Sequence, residues 1–274
     1  MGMRRILRNS LDSDGYWADI SSSERVDVTR WYRRSVSRWV FGLTTLVLLA
    51  IIGFGGWQGY LMWQAQPNVP IVVEKVMKST FVVYCGNAQG TGVAVDIPKP
   101  NGIKTVIISA AHVFSDCEEA SKVDVEYQGR KYQGTLVAKD PQTWKGSDPE
   151  NRVDLARIDL TAEFPALQPA PQAQIGGWAI IVGNPLGREN YATFGIVSAV
   201  HEKYYETDAA ANEGNSGGPL VDNFGRVLGV VSSGQLKDSA SGGLQDANGM
   251  TQVMRLSNAC GRLFAAGPGC PFSN

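Results

Sequence analysis

Three side chains suited to nucleophilic catalysis occur in separate parts of the 274-residue sequence, and the first is a serine. Ser216 lies in the glycine-rich run 214–218 (GNSGG). Glycines allow a sharp turn that exposes a serine hydroxyl and directs backbone N–H groups toward a developing oxyanion. The run also matches the elbow of α/β-hydrolases, but those enzymes place the histidine after the serine, and no histidine follows Ser216. A glycine-rich turn without catalysis is the structural alternative.

Histidine content restricts the choice of a general base. Only His112 and His201 occur, which argues against a metal centre built from several histidines. His112 follows an apolar strand and two alanines (VIISAAHVF), and these small residues leave room for an imidazole that must approach the serine. His201 (SAVHEKYY) has no such setting, and we expect an ordinary polar or packing role for it.

The third candidate is Asp154, at the start of a predicted strand (VDLARIDL). A carboxylate here can hold one tautomer of an imidazole and stabilise the imidazolium, although a turn or capping role would explain it as well. Asp148 and Asp159 are the spare candidates for this role. The order His112, Asp154, Ser216 is that of chymotrypsin, and it differs from the orders in subtilisin and the α/β-hydrolases.

Short strands are predicted to position these residues. Segments rich in valine, isoleucine and aromatic residues alternate with Gly, Pro, Asn and Asp, which is typical of sandwiches or barrels. Two barrels of six strands would fit the length. A helical period is found only around residues 252–264. The strand-like segments include TFVVYC, TGVAVDI, TVIISAAHVF, VDVEYQG, GWAIIVGN, ATFGIVSAV and RVLGVVS.

The N-terminal region differs in charge from the rest of the chain. Residues 1–38 hold eight arginines and five acidic residues, a net charge of +3, which leaves −4 for the remainder because the total is −1. We predict a basic, disordered cytoplasmic tail over residues 1–38, in which 26–38 could form a short helix on the membrane surface. The net charge of the whole chain, which is close to zero, argues against nucleic-acid binding by the whole chain.

An apolar segment follows this tail. Residues 39–63 contain no charged residue, are long enough to span the hydrocarbon core, and have aromatic residues near both ends. A buried core helix and a cleaved signal peptide are the alternatives. The long preceding region and the lack of a clear small-x-small cleavage site favour an uncleaved anchor. The arginines then place the N-terminus in the cytoplasm, with a stalk (64–70) and the remaining chain outside the plasma (inner) membrane.

All four cysteines follow the apolar segment, where the predicted exterior is oxidising and permits disulfides. Three pairings are possible. We favour Cys85–Cys117 and Cys260–Cys270, the second because its ten-residue spacing suits a local loop. Free buried thiols are the alternative.

Several segments together resemble the trypsin-like serine endopeptidases of the HtrA/Deg type. The resemblance covers residues 71–264 and is carried by SAAHV, DLARI, GNPLG, FGIVSA and TDAAANEGNSGGPLVDNFGRVLGVVS. It implies an all-β protease domain over residues 71–274, with two antiparallel six-stranded barrels, a C-terminal helix and a triad at the barrel junction. It further implies His112 as general base, Asp154 as its orienting acid and Ser216 as nucleophile. The N–H groups of Gly214 and Ser216 would form the oxyanion hole.

The resemblance also implies features around the triad. In this fold Ala210 and Ala211 lie at the floor of the specificity pocket, so we expect an uncharged, small to medium side chain before the scissile bond, unless Asp208 turns inward. Asn215 stands where digestive proteases carry an aspartate that pairs with a newly cut N-terminus, so activation by clipping is not expected. A Gly/Ser/Asp-rich loop at 233–249 borders the pocket and is predicted to be mobile.

These features predict a membrane-anchored serine endopeptidase that cleaves extracytoplasmic proteins through an acyl-enzyme. The alternative is a protease-fold scaffold that binds a partner protein at the membrane without cutting it. HtrA proteins usually carry C-terminal PDZ domains, and none fits between Ser216 and Asn274. We expect a protein or peptide substrate and a single-pass membrane contact, with no cofactor, metal or nucleic acid. An oligomer is neither indicated nor excluded.

Overall fold

The computed structural model describes residues 16–17, 26–65, 68–140, 153–184, 191–233, 250–265 and 270–272. The chain divides into two compact units, Met1–Gln66 and Pro67–Asn274. In the first unit, strands β1 (Tyr16–Trp17) and β2 (Val26–Asp27) form an antiparallel pair, and helix α1 runs over Val28–Ala65.

Helix α1 is longer than the predicted apolar segment. Its stretch Trp39–Gly59 has a mean hydropathy of 2.0 and is long and apolar enough to cross a membrane, by length and composition alone. The short helix expected within residues 26–38 begins at Val28 and is continuous with the apolar segment, because no glycine or proline interrupts the backbone hydrogen bonds between them. The predicted stalk at 64–70 begins inside α1, and its last residues belong to the next helix.

The second unit opens with helix α2 (Val69–Met77) and continues into a closed barrel of six antiparallel strands. Their order around the barrel is β3-β4-β5-β8-β7-β6. The strands are β3 (Thr80–Cys85), β4 (Ala88–Ala94), β5 (Thr105–Ala110), β6 (Lys122–Tyr127), β7 (Arg130–Lys139) and β8 (Leu155–Leu160).

A second closed barrel of six antiparallel strands follows in the sequence, with the order β10-β11-β14-β13-β12-β9. This confirms the predicted pair of six-stranded barrels. The strands are β9 (Trp178–Gly183), β10 (Tyr191–Val200), β11 (Tyr204–Thr207), β12 (Pro219–Val221), β13 (Val227–Ser233) and β14 (Thr251–Arg255).

The strands that lead to the candidate histidine and aspartate are adjacent and fully buried. All six residues of β5 and all six of β8 are buried, because the inner face lies in the first barrel's core and the outer face packs toward the second barrel. Ile108 and Leu155 share a core cluster with Ile180 and Val230 of the second barrel. Burial on both faces explains why these strands are apolar along most of their length.

The predicted helix at residues 252–264 is limited to one 3-10 turn, Leu256–Ala259. The residues before this turn form β14 instead. Thr251 and Val253 pair with β11, and β14 also pairs with β13 on its other side. Hydrogen bonding to two neighbouring strands outweighs the helical period of the sequence, which is a weak local signal.

Both favoured disulfides are present. Cys85 is joined to Cys117 with a Cα–Cα distance of 5.9 Å, and Cys260 is joined to Cys270 at 5.6 Å. The free-thiol alternative is therefore wrong. The first bridge links β3 to the segment after the candidate histidine, and the second closes a loop that follows β14.

Candidate active site

His112 is positioned by the end of β5. The strand stops at Ala110, and residues Ala111–Phe114 form a single 3-10 turn that carries the imidazole. The Ser115 hydroxyl donates to the His112 carbonyl oxygen at 2.6 Å and closes this turn. Ala110 and Ala111 are buried, while the imidazole remains 24% exposed. The two alanines thus let the ring lie against the barrel and stay accessible to a reactant.

Asp154 lies beside His112 because β8 pairs with β5. Its buried carboxylate accepts a hydrogen bond from the His112 backbone N–H through Oδ1, at 2.9 Å, and contacts His112 Nδ1 through Oδ2, also at 2.9 Å. The Ser232 hydroxyl of β13 donates to the same Oδ2. A carboxylate at Nδ1 favours the tautomer whose proton lies on Nδ1, which leaves Nε2 able to accept a proton.

Ser216 lies on the turn between β11 and β12, which is shaped by two glycines with left-handed backbone angles. Gly214 has φ +93° and Gly217 has φ +87°. The Gly218 N–H donates to the Asn215 carbonyl oxygen at 2.8 Å, and the Gly217 N–H donates to Val231 of β13 at 2.7 Å. These bonds fix the turn to its own barrel.

The first barrel also holds this turn, through Thr91 of β4. The Thr91 N–H donates to the Ser216 carbonyl oxygen at 2.8 Å, and its hydroxyl donates to the Gly214 carbonyl oxygen at 2.6 Å. Gly217 is packed so closely that a Cβ there would overlap the Thr91 carbonyl oxygen and the Ser109 hydroxyl. A residue with a side chain at 217 would therefore push the turn away from the first barrel.

Asn215 is buried beneath the serine. No hydrogen-bond partner is found for its side-chain oxygen among the described residues, and its side chain packs against Gly183 at the end of β9. Its N–H donates to Asn212 at 3.0 Å. A neutral amide thus occupies this position.

The predicted pocket residues lie at the end of β11. Ala209 is buried, Ala210 is exposed, and Ala211 is half-buried. The Asp208 carboxylate accepts the N–H of Ile196 in β10 at 2.7 Å, on the surface. Asp208 therefore does not turn inward. The predicted mobile loop, apart from its first residue, lies outside the described residues, as do residues 185–187 of the GNPLG motif.

Two of the other acid and base candidates, Asp159 and His201, are engaged in contacts of their own. Asp159 is buried in a two-bond ion pair with Arg157, with both N–O distances at 2.7 Å. His201 stacks on Tyr204 with ring centroids 4.2 Å apart, and its Nε2 lies 3.4 Å from Glu206. The remaining spare candidate, at position 148, lies outside the described residues.

Sequence reasoning missed the residues that support the three candidates. Thr91 and Ser232 contact the Ser216 turn and Asp154, respectively, from the opposite barrel. Asp140, at the end of β7, accepts the N–H of Asp154. The available signal was weak, since each is a single polar residue within a strand or directly after one.

Comparison with known proteins gives the family to which the chain belongs. A trypsin-like peptidase domain matches residues 90–230, just over half of the chain. The probable periplasmic serine endoprotease DegP-like of Chlamydia trachomatis is 40% identical over 137 residues, covering 45% of this chain and 25% of that protein. The periplasmic serine endoprotease DegP of Salmonella typhimurium is 30% identical over 183 residues, covering 62% of this chain and 35% of that protein.

Solved structures agree with the sequence comparison. The serine endoprotease from Yersinia pestis superposes with a TM-score of 0.54 at 25% identity, covering 69% of this chain and 62% of that chain. The chain spans about a quarter to a third of the length of the curated relatives described above. It belongs to the trypsin-like peptidase family, and its relatives are serine proteases of the DegP/HtrA type.

Proposed function

We propose that the chain is a serine endopeptidase in which Ser216 is the nucleophile, His112 the general base and Asp154 the acid that orients it. The observation that carries this proposal is the buried Asp154 carboxylate bonded to His112 Nδ1 in a trypsin-like fold. The membership of this family and the DegP-type relatives support the same reaction.

The proposed reaction proceeds through an acyl-enzyme. The Ser216 hydroxyl attacks the scissile carbonyl carbon, and its proton passes to Nε2 of His112 while Asp154 stabilises the imidazolium. The N–H groups of Gly214 and Ser216 stabilise the oxyanion. The imidazolium then protonates the leaving amine, and the C–N bond breaks. Water, deprotonated by His112, attacks the acyl-enzyme and releases the carboxylate product and free Ser216.

The test is covalent labelling of the full chain in detergent with a fluorophosphonate probe. We expect the wild type to be labelled, and Ser216→Ala and His112→Ala to be unlabelled. Ser257→Ala, which changes a serine in the 3-10 turn after β14, is the matched control and should be labelled like the wild type. A folded wild type that does not react would overturn the proposal in favour of a non-cleaving scaffold.

We also propose that the pocket accepts an uncharged, small to medium side chain, with Ala210 and Ala211 at its floor. The Asp208 carboxylate is engaged by the Ile196 N–H at the surface, which leaves this acid away from the pocket base. Fluorogenic peptides that differ only in the residue before the scissile bond test this. Cleavage after alanine or valine is expected, and efficient cleavage after arginine or lysine would contradict it.

We further propose that α1 anchors the protein in the inner membrane, with the N-terminus cytoplasmic and the protease unit in the periplasm or outside the cell. The uncharged stretch Trp39–Gly59 and the arginines before it support this orientation. Alkaline phosphatase fused after Asn274 should be active, since this reporter folds only outside the cytoplasm. An inactive but full-length fusion would contradict the orientation.

A further inference from the structure

Asp140 is hydrogen-bonded to the backbone of the residues just before β8, including Asp154. It directly follows β7 and is 4% exposed. Its Oδ2 accepts hydrogen bonds from two consecutive backbone N–H groups, that of Val153 at 2.9 Å and that of Asp154 at 3.0 Å. Its own N–H donates to the Leu155 carbonyl oxygen at 2.9 Å. One buried carboxylate therefore fixes the backbone immediately before β8.

Asp154 has an unusual backbone conformation that this support holds in place. Its φ is +40°, a left-handed value that is uncommon for non-glycine residues, although aspartate adopts it more readily than most. Its N–H is held by Asp140, and its carbonyl oxygen accepts the Ala111 N–H at 3.2 Å. The conformation so fixed presents both carboxylate oxygens to His112.

We propose that Asp140 is a positioning residue of the catalytic site, which holds residues 153 and 154 in the conformation that directs the Asp154 carboxylate at His112. This inference rests on the proposed function of Asp154 as the orienting acid. Asp140 acts through Asp154 and does not bond to His112 in this structure, so it contributes to the geometry of the reacting groups and not to their chemistry.

A purely structural role through Arg262 is the competing explanation. Arg262 Nη1 lies 3.6 Å from Oδ1 of Asp140, on the loop closed by Cys260–Cys270. That separation exceeds a hydrogen bond, and the arginine side chain is 42% exposed. The two bonds to Oδ2 are shorter and buried, so the positioning effect is expected to survive loss of Arg262.

The experiment measures fluorophosphonate labelling of the full chain in detergent, separating the maximal rate of inactivation from the probe's dissociation constant. Asp140→Ala should lower the maximal rate by about 10- to 100-fold, the scale expected when a reacting group is misplaced by about 1 Å. The dissociation constant should stay unchanged, since Asp140 is not proposed to touch the probe. Asp140→Asn keeps an acceptor oxygen and should retain most of the rate.

A proton NMR spectrum supplies a readout of the geometry itself. The hydrogen-bonded Nδ1 proton of His112 should give a downfield resonance in the wild type and in Arg262→Ala, and this resonance should be lost in Asp140→Ala. Arg262→Ala should also be labelled at the wild-type rate. An Asp140→Ala protein with the wild-type rate and resonance would overturn the inference, as would equal losses in Asp140→Ala and Arg262→Ala.

Failure of this inference and failure of the proposed function give different experimental results. Where Asp140→Ala does not fold, Asp140→Glu keeps the charge and moves the acceptor by one methylene; a lowered rate supports the inference, and a wild-type rate overturns it. A wild type that never reacts with the probe refutes the proposed function instead. A reactive wild type with equally reactive Asp140 variants refutes only the role of Asp140.

Discussion

The two barrels supply their parts of the candidate site in different ways. In the first barrel, His112 and Asp154 extend from adjacent strands, β5 and β8, which pair at Ala110 and Leu155. In the second, Ser216 lies on a turn whose carbonyl groups are held by Thr91 of the first barrel. The histidine–aspartate pair is thus set mainly within one sheet, whereas the serine turn depends on the contact between the barrels.

Each barrel also holds the residue that the other contributes. Thr91 of the first barrel binds the Ser216 turn, and Ser232 of the second barrel binds Asp154. The two parts of the site therefore differ in how many of their hydrogen bonds connect one barrel to the other. Substitutions ordered by expected effect can test this comparison.

The largest effect is expected from Asp154→Asn, which removes the charge from the first barrel's pair. An amide in this position favours the wrong histidine tautomer, and kcat should fall by about 10⁴-fold. Steady-state cleavage of a fluorogenic peptide by the full chain measures this. A fall of less than tenfold would show that the pair does not act as proposed.

The next largest effect is expected from Gly217→Ala in the second barrel's turn. The new Cβ would overlap Thr91 and Ser109, and alanine is strained at φ +87°. We expect kcat to fall by about 100-fold or more, because the N–H groups of the proposed oxyanion hole would lose their alignment.

Gly129→Ala is the matched control for this strain. Gly129 has φ +73°, but apart from its own backbone and its two chain neighbours no atom lies within 4 Å of a Cβ placed there. This variant should lower thermal stability with kcat unchanged. If Gly129→Ala and Gly217→Ala had the same kcat, the close packing of Gly217 against the first barrel would not contribute to catalysis.

A smaller effect is expected from Ser232→Ala, which removes the second barrel's bond to Asp154. A hydrogen bond to a charged group contributes about 1.5–3 kcal/mol, so kcat should fall by about 10- to 100-fold. The peptide assay, with circular dichroism to verify folding, measures this. A wild-type kcat would mean that the first barrel orients Asp154 without help.

The smallest effect on kcat is expected from Thr91→Val, which removes a neutral hydroxyl that donates to the Gly214 carbonyl oxygen and accepts the Asn184 N–H. The bond to the serine turn contributes about 1 kcal/mol, which corresponds to about fivefold in kcat, and loss of the bond to Asn184 is expected to lower the stability of the fold. Thr105→Val is the control, since its hydroxyl donates to Ala162 at 2.8 Å, away from the site. Equal losses of kcat in both variants would indicate general destabilisation instead.

The sequence predicted the features that depend on local signals. The glycine-rich run around Ser216 and the apolar strand before His112 are recognisable because their chemistry requires those residue types nearby in sequence. The short, regularly spaced strands favoured a sandwich or barrels, and the resemblance to trypsin-like peptidases implied the two six-stranded barrels. The C-terminal helix was predicted too long, since its period fitted a helix and strand pairing decided the outcome for residues 251–255.

The supporting residues could not be predicted because their contacts are distant in sequence. Thr91 reaches a carbonyl group 123 residues away, and Ser232 reaches a carboxylate 78 residues away. A single threonine or serine in a strand carries no local sign of such a partner. The left-handed φ of Asp154 is equally hidden, because aspartate is compatible with several backbone conformations.

The hydrogen bonds of Asp140 have a consequence for how this protein can be altered. They join the two ends of residues 141–152, since Asp140 stands just before that segment and Val153 just after it. Chain inserted between two points already held together adds little closure entropy to the fold, because that cost grows slowly with length. Insertion of an epitope tag, a fluorophore or a guest domain between Asp140 and Val153 is therefore expected to leave the separation between the end of β7 and the start of β8 unchanged, because the bonds of Asp140 already fix it.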